Sequence, residues 1–317
     1  MEQQEEKLRR DLKAAEDALK LHLVVPSEFY EPIDLYQPET NLSAVVESIL
    51  PCSWRVVRSG IWYQVLPPKI HLPIQGWKIH VSTTAANADS ILREVAAICV
   101  EEDVAFKFAC DISMLILLNS RWWDRGAAGK FITIYPRSED QFKLLLEELY
   151  SKLERFDGPY ILSDRRYKNC KVLYYRYGGI TPLDYIRPDG TRVSIIMSPD
   201  GNKVPDSRIP YFELPTWVQE PFAKDEQIDD ETPSLKNGRY LIIEVLAFTN
   251  AGGVYGALDA ETGEAVVIKE ARPFTDFDLS GTDAVKLREN EWCLLNRVCF
   301  TSVGAGRLLD GSGWRQR

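Results

Sequence analysis

Apolar and polar residues alternate along several short segments of the chain, a pattern typical of β-strands with one buried face. The clearest case is residues 77–81, where Trp77, Ile79 and Val81 alternate with Lys78 and His80. Because successive strand side chains point to opposite faces, Lys78 and His80 should lie together, away from the core. Further strands are predicted at residues 54–65, 104–109, 131–135 and 171–177.

Helical spacing of apolar residues predicts four helices among these strands. They are expected at residues 3–23, 87–99, 111–119 and 138–153. The last helix should begin at Ser138, because Gln141 follows three residues later, as in a capping box. Pro, Gly and Asp then punctuate short hairpins to about residue 222. This order of elements predicts an α+β fold class.

A second pattern of elements follows an acidic, polar segment at residues 223–238. It contains a strand at 240–246, a glycine-containing segment, a strand at 266–269 and a helix at 283–298. We therefore expect four parts. They are a first domain at 1–222 with its N-terminal helix, an acidic linker at 223–238, an antiparallel β-sheet with one helix at 239–298, and a disordered or aberrant tail at 299–317.

The amino-acid composition disfavours several classes of function. The 317 residues are 45% hydrophobic and 27% charged, with a formal net charge of −9, which is typical of a soluble globular protein and disfavours nucleic acid as a partner. Neither a membrane-length apolar run nor a signal peptide is visible, so a cytoplasmic location without membrane contact is expected. The six cysteines lack metal-ligand spacing, and we expect no metal site.

Basic residues recur within or beside the apolar strands of the first domain, and few acidic residues are available to pair with them. Asp111, Asp124 and Asp164 are the visible candidates. Because an unpaired buried charge is costly, the pattern predicts a dianionic ligand. Each residue alone allows another interpretation: His80 could be structural, Lys107 could reach solvent, and Arg176 could form a salt bridge. The polar groups concerned are Lys78, His80, Lys107, Arg125, Lys130, Tyr135, Arg165 or Arg166, and Arg176.

Residues 5–222 resemble the lyase domain of class III and class IV lanthipeptide synthetases, and the class III enzymes especially. That domain is similar to the phosphothreonine lyase effectors of pathogenic bacteria. The motifs that carry the resemblance are Lys-x-His at 78–80, Phe-Lys-Phe at 106–108, Arg-Gly at 125–126, Phe-x-Ile-Tyr within 131–135, Ser-Asp-Arg at 163–165 and Tyr-Arg-Tyr at 175–177. The resemblance implies a phosphothreonine-lyase-like fold.

The resemblance also implies a reaction, the β-elimination of phosphate from phosphoserine or phosphothreonine to give dehydroalanine or dehydrobutyrine. It assigns Lys107 as the base and His80 as the acid. The implied partner is a phosphorylated precursor peptide with its leader, and the lyase needs no cofactor. Arg166 stays open as an alternative to Arg165, which the Ser-Asp-Arg motif favours. The implied phosphate-binding residues are Lys78, Arg125, Arg165, Arg176 and Tyr135.

Residues 240–298 resemble the start of a protein kinase, with a glycine-rich loop, a hairpin and a strand lysine. Gly252, Gly253, Lys269 and Glu291 match as vestigial nucleotide-binding residues. The loop departs from the full glycine pattern, and a β-hairpin with a surface lysine is the alternative. No histidine follows His80, so a His-Arg-Asp catalytic loop is absent, as is Asp-Phe-Gly. ATP or GTP with Mg²⁺ is therefore expected only in full-length relatives.

We thus expect a truncated relative of a lanthipeptide synthetase: a phosphoserine/phosphothreonine lyase followed by an incomplete kinase N-lobe, without kinase activity of its own. Full-length members of the family also phosphorylate and cyclise their precursor peptides. Two alternatives stay open. The chain could be a catalytically silent module that binds phosphopeptides or leaders, or a Ser/Thr kinase recognised from its ATP-binding N-lobe.

Overall fold

The computed structural model of the chain describes residues 36–190, 192–222, 238–278 and 281–299. The helix expected at 3–23, nearly all of the linker and nearly all of the tail lie outside the described residues. The described helices are α1 (Leu42–Glu47), α2 (Ala88–Glu101), α3 (Ile112–Leu118), α4 (Glu139–Leu153) and α5 (Ala284–Cys299). The described strands are β1 (Arg55–Ser59), β2 (Trp62–Leu66), β3 (Gln75–Val81), β4 (Phe106–Ala109), β5 (Ile132–Ile134), β6 (Arg165–Arg166), β7 (Leu173–Gly179), β8 (Asp184–Ile186), β9 (Arg192–Met197), β10 (Lys203–Pro205), β11 (Tyr240–Thr249), β12 (Gly252–Asp259) and β13 (Ala265–Lys269).

Seven antiparallel strands form the main sheet, in the order β1-β2-β4-β5-β3-β7-β6. One face of this sheet is apolar and packs against helix α4, which in turn packs against α2. Phe142 of α4 stacks on Trp77 of β3 at 5.2 Å between ring centroids, and Tyr175 of β7 meets both rings edge-on. This burial supplies most of the driving force for folding and leaves the opposite face for polar groups.

Four of the described helices begin at polar residues that cap their free backbone amides, namely Asn41, Asp111, Ser138 and Asp283. Ser138 accepts a hydrogen bond from the Gln141 amide at the start of α4, so the predicted cap is confirmed. Asp111 accepts one from the Met114 amide at the start of α3. Helix α3 is buried along its whole length, which explains why its sequence is almost entirely apolar.

The prediction of one strand at 54–65 is wrong, because the segment folds into a hairpin. Strands β1 and β2 pair from Arg55 opposite Leu66 to Ser59 opposite Trp62. Gly60 adopts a φ of 59°, which glycine tolerates better than other residues, and this conformation reverses the chain. The Ser59-Gly60 dipeptide is the turn signal that the sequence carries at this point.

Two smaller antiparallel sheets complete the fold. One consists of β10-β9-β8, from the segment predicted to form hairpins. The other consists of β11-β12-β13 and is followed by α5, which confirms the antiparallel sheet with one helix expected after the linker. The antiparallel sheets and the helices together confirm the α+β class.

Candidate active site

The polar residues predicted from alternation share one face of the main sheet. Lys78 lies opposite Arg176 in the β3–β7 register, and His80 lies opposite both Tyr174 and Thr133. Lys107 of β4 also lies opposite Thr133. Directly paired residues of antiparallel strands point to the same side, so β4, β5, β3 and β7 bring these side chains to one surface. Lys78 and His80 are both buried.

A hydrogen-bonded group orients His80. Its Nδ1 atom is hydrogen-bonded to Asp164 Oδ2, and the other carboxylate oxygen lies 3.1 Å from Lys130 Nζ. Ser163 donates to Asp164 Oδ1 at 2.7 Å and accepts from Lys130 at 3.1 Å. With Nδ1 held by the carboxylate, the Nε2 atom of His80 is the nitrogen left for other chemistry.

Burial, reinforced by Lys130 and Lys78, lowers the pKa of His80 to about 3, although Asp164 opposes this shift. Burial also opposes ionisation of Asp164, but Lys130 and His80 hold the pKa of that carboxyl well below its usual range. The pair therefore consists of a neutral imidazole and a carboxylate at neutral pH.

Lys78 and Arg176 form a second group beside the first. Arg176 donates to Asp206 Oδ1 at 2.7 Å and to the Ser207 carbonyl at 3.2 Å. Lys78 donates to the Gly179 carbonyl at 2.7 Å. Burial and the nearby Arg176 guanidinium hold the pKa of Lys78 well below its usual range, although Asp206 opposes this. Such a shift is the sign of a cation crowded by other cations.

Lys107 lies farther along the same face, with its ammonium 4.3 Å from the centre of the Trp62 ring. Burial lowers the pKa of Lys107 to about 8, and the positive charges of Arg208 and Lys130 add to the effect. Burial likewise lowers the pKa of Lys130 to about 8. A measurable fraction of each lysine is therefore a neutral amine near neutral pH, which a proton acceptor requires.

Arg208 is a member of this group that the sequence analysis missed. It lies close enough to Lys78, Lys107 and Tyr135 to lower the pKa of each. The net pKa of Tyr135 is nevertheless raised, because burial dominates. Both Arg208 and Asp206 follow β10, in a segment whose prolines and glycines predicted only hairpins. Loop residues have no periodicity, so no pattern in this sequence pointed to them.

The charge of the cluster is unbalanced. Among the residues that the structure describes, the carboxylates in contact with it are those of Asp164 and Asp206. Because the basic groups outnumber these two acids, the cluster would be stabilised by an anion, and phosphate chemistry fits that requirement. We define the cationic cluster as Lys78, His80, Lys107, Lys130, Arg176 and Arg208 with these two acids.

Two residues predicted to bind phosphate are held elsewhere. Arg125 is exposed and donates to the Phe248 carbonyl at 2.8 Å, with its guanidinium 5.0 Å from the centre of the Phe248 ring. Arg165 pairs with Tyr175 in the β6–β7 register, so it lies on the helix-covered face of the sheet. Its guanidinium stacks on Phe212 at 4.5 Å. The structure therefore does not bring Arg125 or Arg165 into the cationic cluster.

The neighbouring residue fits the cluster face better. Arg166 lies opposite Tyr174 in the same register, and Tyr174 lies opposite His80. The sequence motif favoured Arg165, whereas the register of β6 favours Arg166. A single-residue offset decides between them, because it reverses the face to which a strand side chain points.

The kinase-like residues lie in the third sheet and its helix. Lys269 and Glu291 form an ion pair between β13 and α5. Gly252 and Gly253 are buried at the start of β12. Gly252 has a φ of 150°, and a Cβ there would lie 2.0 Å from the Glu270 carbonyl oxygen, so only glycine fits.

Within the described ranges, no cluster of three or more His, Cys, Asp or Glu side chains is arranged to hold a metal ion. Among the helices of these ranges, none has the length and apolar character needed to cross a bilayer.

Comparisons with known proteins agree with the sequence resemblance. The family described as "RamC, N-terminal domain" matches residues 42–234. A "Probable SapB synthase" of Streptomyces coelicolor is 40% identical over 256 residues, which is 80% of this chain and 27% of that protein. The chain thus spans about a quarter of the length of this curated relative.

Two solved structures were also found. The type III effector and phosphothreonine lyase OspF from Shigella flexneri has a TM-score of 0.34 at 15% identity, covering 55% of this chain and 89% of its own. A second phosphothreonine lyase structure has a TM-score of 0.33 at 15% identity, covering 54% of this chain and 85% of its own.

Proposed function

Because this chain belongs to the family of RamC N-terminal domains, we propose that its cationic cluster eliminates phosphate from phosphoserine and phosphothreonine. The substrate would be a lanthipeptide precursor, and the products would be dehydroalanine and dehydrobutyrine. One observation carries the proposal: a lysine whose pKa is lowered to about 8 lies on the same sheet face as a carboxylate-bound histidine and several further cations.

Elimination needs a base for the Cα proton, and Lys107 suits that role. Burial and the neighbouring cations favour its neutral amine, and strand β4 fixes its position beside Thr133. As the amine takes the Cα proton, the electrons of that C–H bond form the Cα–Cβ double bond. The Cβ–O bond breaks as this double bond forms, and its electron pair leaves with the phosphate oxygen.

The departing phosphate needs a proton, and His80 suits that role through Nε2. Without a ligand, burial and cations keep the imidazole neutral. A dianionic phosphate close to it would reverse this balance and favour the imidazolium, whose Nδ1–H stays bound to Asp164. His80 would thus take up a proton on Nε2 as the phosphopeptide binds, from solvent or from a phosphate monoanion, and would give that proton to the departing phosphate.

The remaining cations hold the phosphate. Lys78 and Arg176 lie opposite each other at one end of the cluster, and Lys130 and Arg208 act on the same groups. Tyr135, which lies within the electrostatic reach of Arg208, would add a hydrogen bond. Every role in the reaction is filled by a side chain of this protein, so we propose that the lyase needs no cofactor.

The proposal also covers the four kinase-like residues of the third sheet and its helix. We infer that Gly252, Gly253, Lys269 and Glu291 correspond to a kinase-type nucleotide site, which would take ATP or GTP with Mg²⁺ in full-length relatives. The peptide's phosphorylation, its leader and its later cyclisation would be handled by parts of such a relative beyond those described.

A module that only binds phosphopeptides is the second candidate, and the low pKa of His80 favours it. A binding site is best served by permanent cations, however. Lys78 and Lys130 also have lowered pKa values, but they are held by the Gly179 carbonyl and by Asp164. The amine of Lys107, with a pKa of about 8, lies over the Trp62 ring and is better placed to accept a proton. The properties of Lys107 therefore favour the lyase.

Phosphate release from a synthetic phosphoserine peptide tests the proposal. Lys107→Met should lower the rate by about 10²–10⁴-fold while leaving peptide binding nearly intact, because it removes the base but keeps the side-chain volume. His80→Gln should slow release more than it weakens binding.

Lys171→Met is the matched control, since Lys171 is exposed and pairs with Asp157 at 2.7 Å outside the cationic cluster. This control should release phosphate at the rate of the unmodified protein. Release by Lys107→Met at that same rate would remove Lys107 as the base, and binding without release by the unmodified protein would favour the binding module.

A further inference from the structure

The turn between β11 and β12 docks on the loop that leads into the cationic cluster. We call residues 119–130, between α3 and β5, the site loop. The side-chain amide of Asn250 donates to the carbonyls of Ser120, at 3.2 Å, and Trp123, at 2.7 Å. Asn250 is 7% exposed. A buried amide that donates to two carbonyls of a distant segment holds that segment in place, because its loss would leave both acceptors unpaired.

The turn that presents Asn250 is itself held firmly. Arg272 donates to the carbonyls of Thr249, at 2.8 Å, and Asn250, at 3.2 Å, and stacks on Phe248 at 4.7 Å. Arg272 is 8% exposed and also pairs with Glu270. The hydrogen bonds from this guanidinium therefore fix the backbone of the turn, which can act as a rigid support.

Two further contacts join the same parts of the chain. Asp276 forms an ion pair with Arg121 and donates its backbone amide to the Asn119 carbonyl at 3.0 Å. Arg125 donates to the Phe248 carbonyl. The site loop is thus held at its beginning and its middle by residues from 248 to 276.

The far end of the site loop belongs to the cationic cluster. Lys130 ends the loop and reaches Asp164. In the middle of the loop, Gly126 lies against the Arg208 side chain, since a Cβ at Gly126 would be 2.6 Å from Arg208 Cδ. The position of the loop therefore determines where Lys130 and Arg208 sit relative to each other and to the phosphate.

We propose that the β11–β12 turn positions the site loop for lyase chemistry, with Asn250 as the positioning residue. This inference rests on the proposed function and deepens it. The segment that matches a kinase glycine loop would serve here as a structural support for phosphate binding by the first domain. Asn250, in the turn of this segment, contacts the site loop.

Asn250→Asp tests the inference, because it keeps the side-chain shape and removes both N–H donors. Asn202→Asp, on the exposed β9–β10 turn, is the matched control. Kinetics of phosphate release should show a kcat/KM lower by about tenfold for Asn250→Asp, with most of the change in KM. Hydrogen exchange should be faster at amides 119–130, whereas amides in β3 and β7 should exchange as before. The control should match the unmodified protein in both measurements.

Arg121→Gln is a second variant for the case that Asn250→Asp does not fold. It removes a partly exposed ion pair and should shift KM and loop exchange in the same direction by a smaller factor. Equal exchange at 119–130 in all proteins, or faster exchange across the whole sheet, would overturn the inference. If the unmodified protein releases no phosphate, the proposed function fails, and hydrogen exchange alone then decides whether Asn250 holds the loop.

Discussion

The pKa values and orientations of individual side chains in this protein depend on the residues around them. Lys107 is an ordinary lysine by sequence, yet burial and the charges of Arg208 and Lys130 lower its pKa to about 8. His80 is similarly an ordinary imidazole whose orientation depends on Asp164. The sequence placed Lys107 in an apolar strand and left open whether its amine reaches solvent. The contribution of Arg208 could not be predicted, because 101 positions of chain separate the two residues.

The rate of elimination should depend on pH through Lys107. The proposed base is the neutral amine, so kcat/KM should rise as pH rises through about 8, the pKa of Lys107 in the free protein. Arg208→Gln removes a positive charge that lowers this pKa, so its profile should move to higher pH. A pH–rate series with a phosphoserine peptide measures both effects. A flat profile across this range, or no movement in Arg208→Gln, would argue against Lys107 as the base.

At the scale of elements, the register of the paired strands places most residues of the cationic cluster on one face of the sheet. Alternation along β3 correctly predicted that Lys78 and His80 share a face, and the β3–β7 register adds Arg176. The same alternation could not place Arg165, because β6 is two residues long and its register depends on pairing with β7. Short strands and loops lack a repeat, so the sequence alone could not resolve Arg165 from Arg166.

Gly126 tests the link between the site loop and the cluster. In Gly126→Ala the new Cβ would come within 2.6 Å of Arg208 Cδ and 2.8 Å of Asp124 Oδ1, so both side chains must move. We expect the KM for a phosphoserine peptide to rise by about tenfold, with little change in unfolding temperature.

Gly76→Ala is the control, because its Cβ would meet Ile180 Cδ1 at an ordinary 3.4 Å. It should leave KM unchanged. A KM for Gly126→Ala equal to that of the control would show that Arg208 need not pack against the loop.

At the scale of the whole molecule, the first domain and the kinase-like sheet are joined through the site loop. The sequence predicted both parts and their order, since each has its own periodic pattern. It did not predict the contact between Asn250 and the loop, which involves one amide and two backbone carbonyls. Backbone acceptors are the same in every sequence, so no pattern could reveal this docking. The two parts are thus better regarded as a unit than as separate modules.

We propose above all that the cationic cluster breaks a Cβ–O bond by elimination. Mass spectrometry of a phosphoserine peptide incubated with the protein, without nucleotide or added metal, tests it most directly. We predict a product that has lost phosphoric acid and contains dehydroalanine, formed by the unmodified protein and by Lys171→Met but not by Lys107→Met. Recovery of unmodified serine, which marks hydrolysis, or of the intact phosphopeptide would contradict the claim.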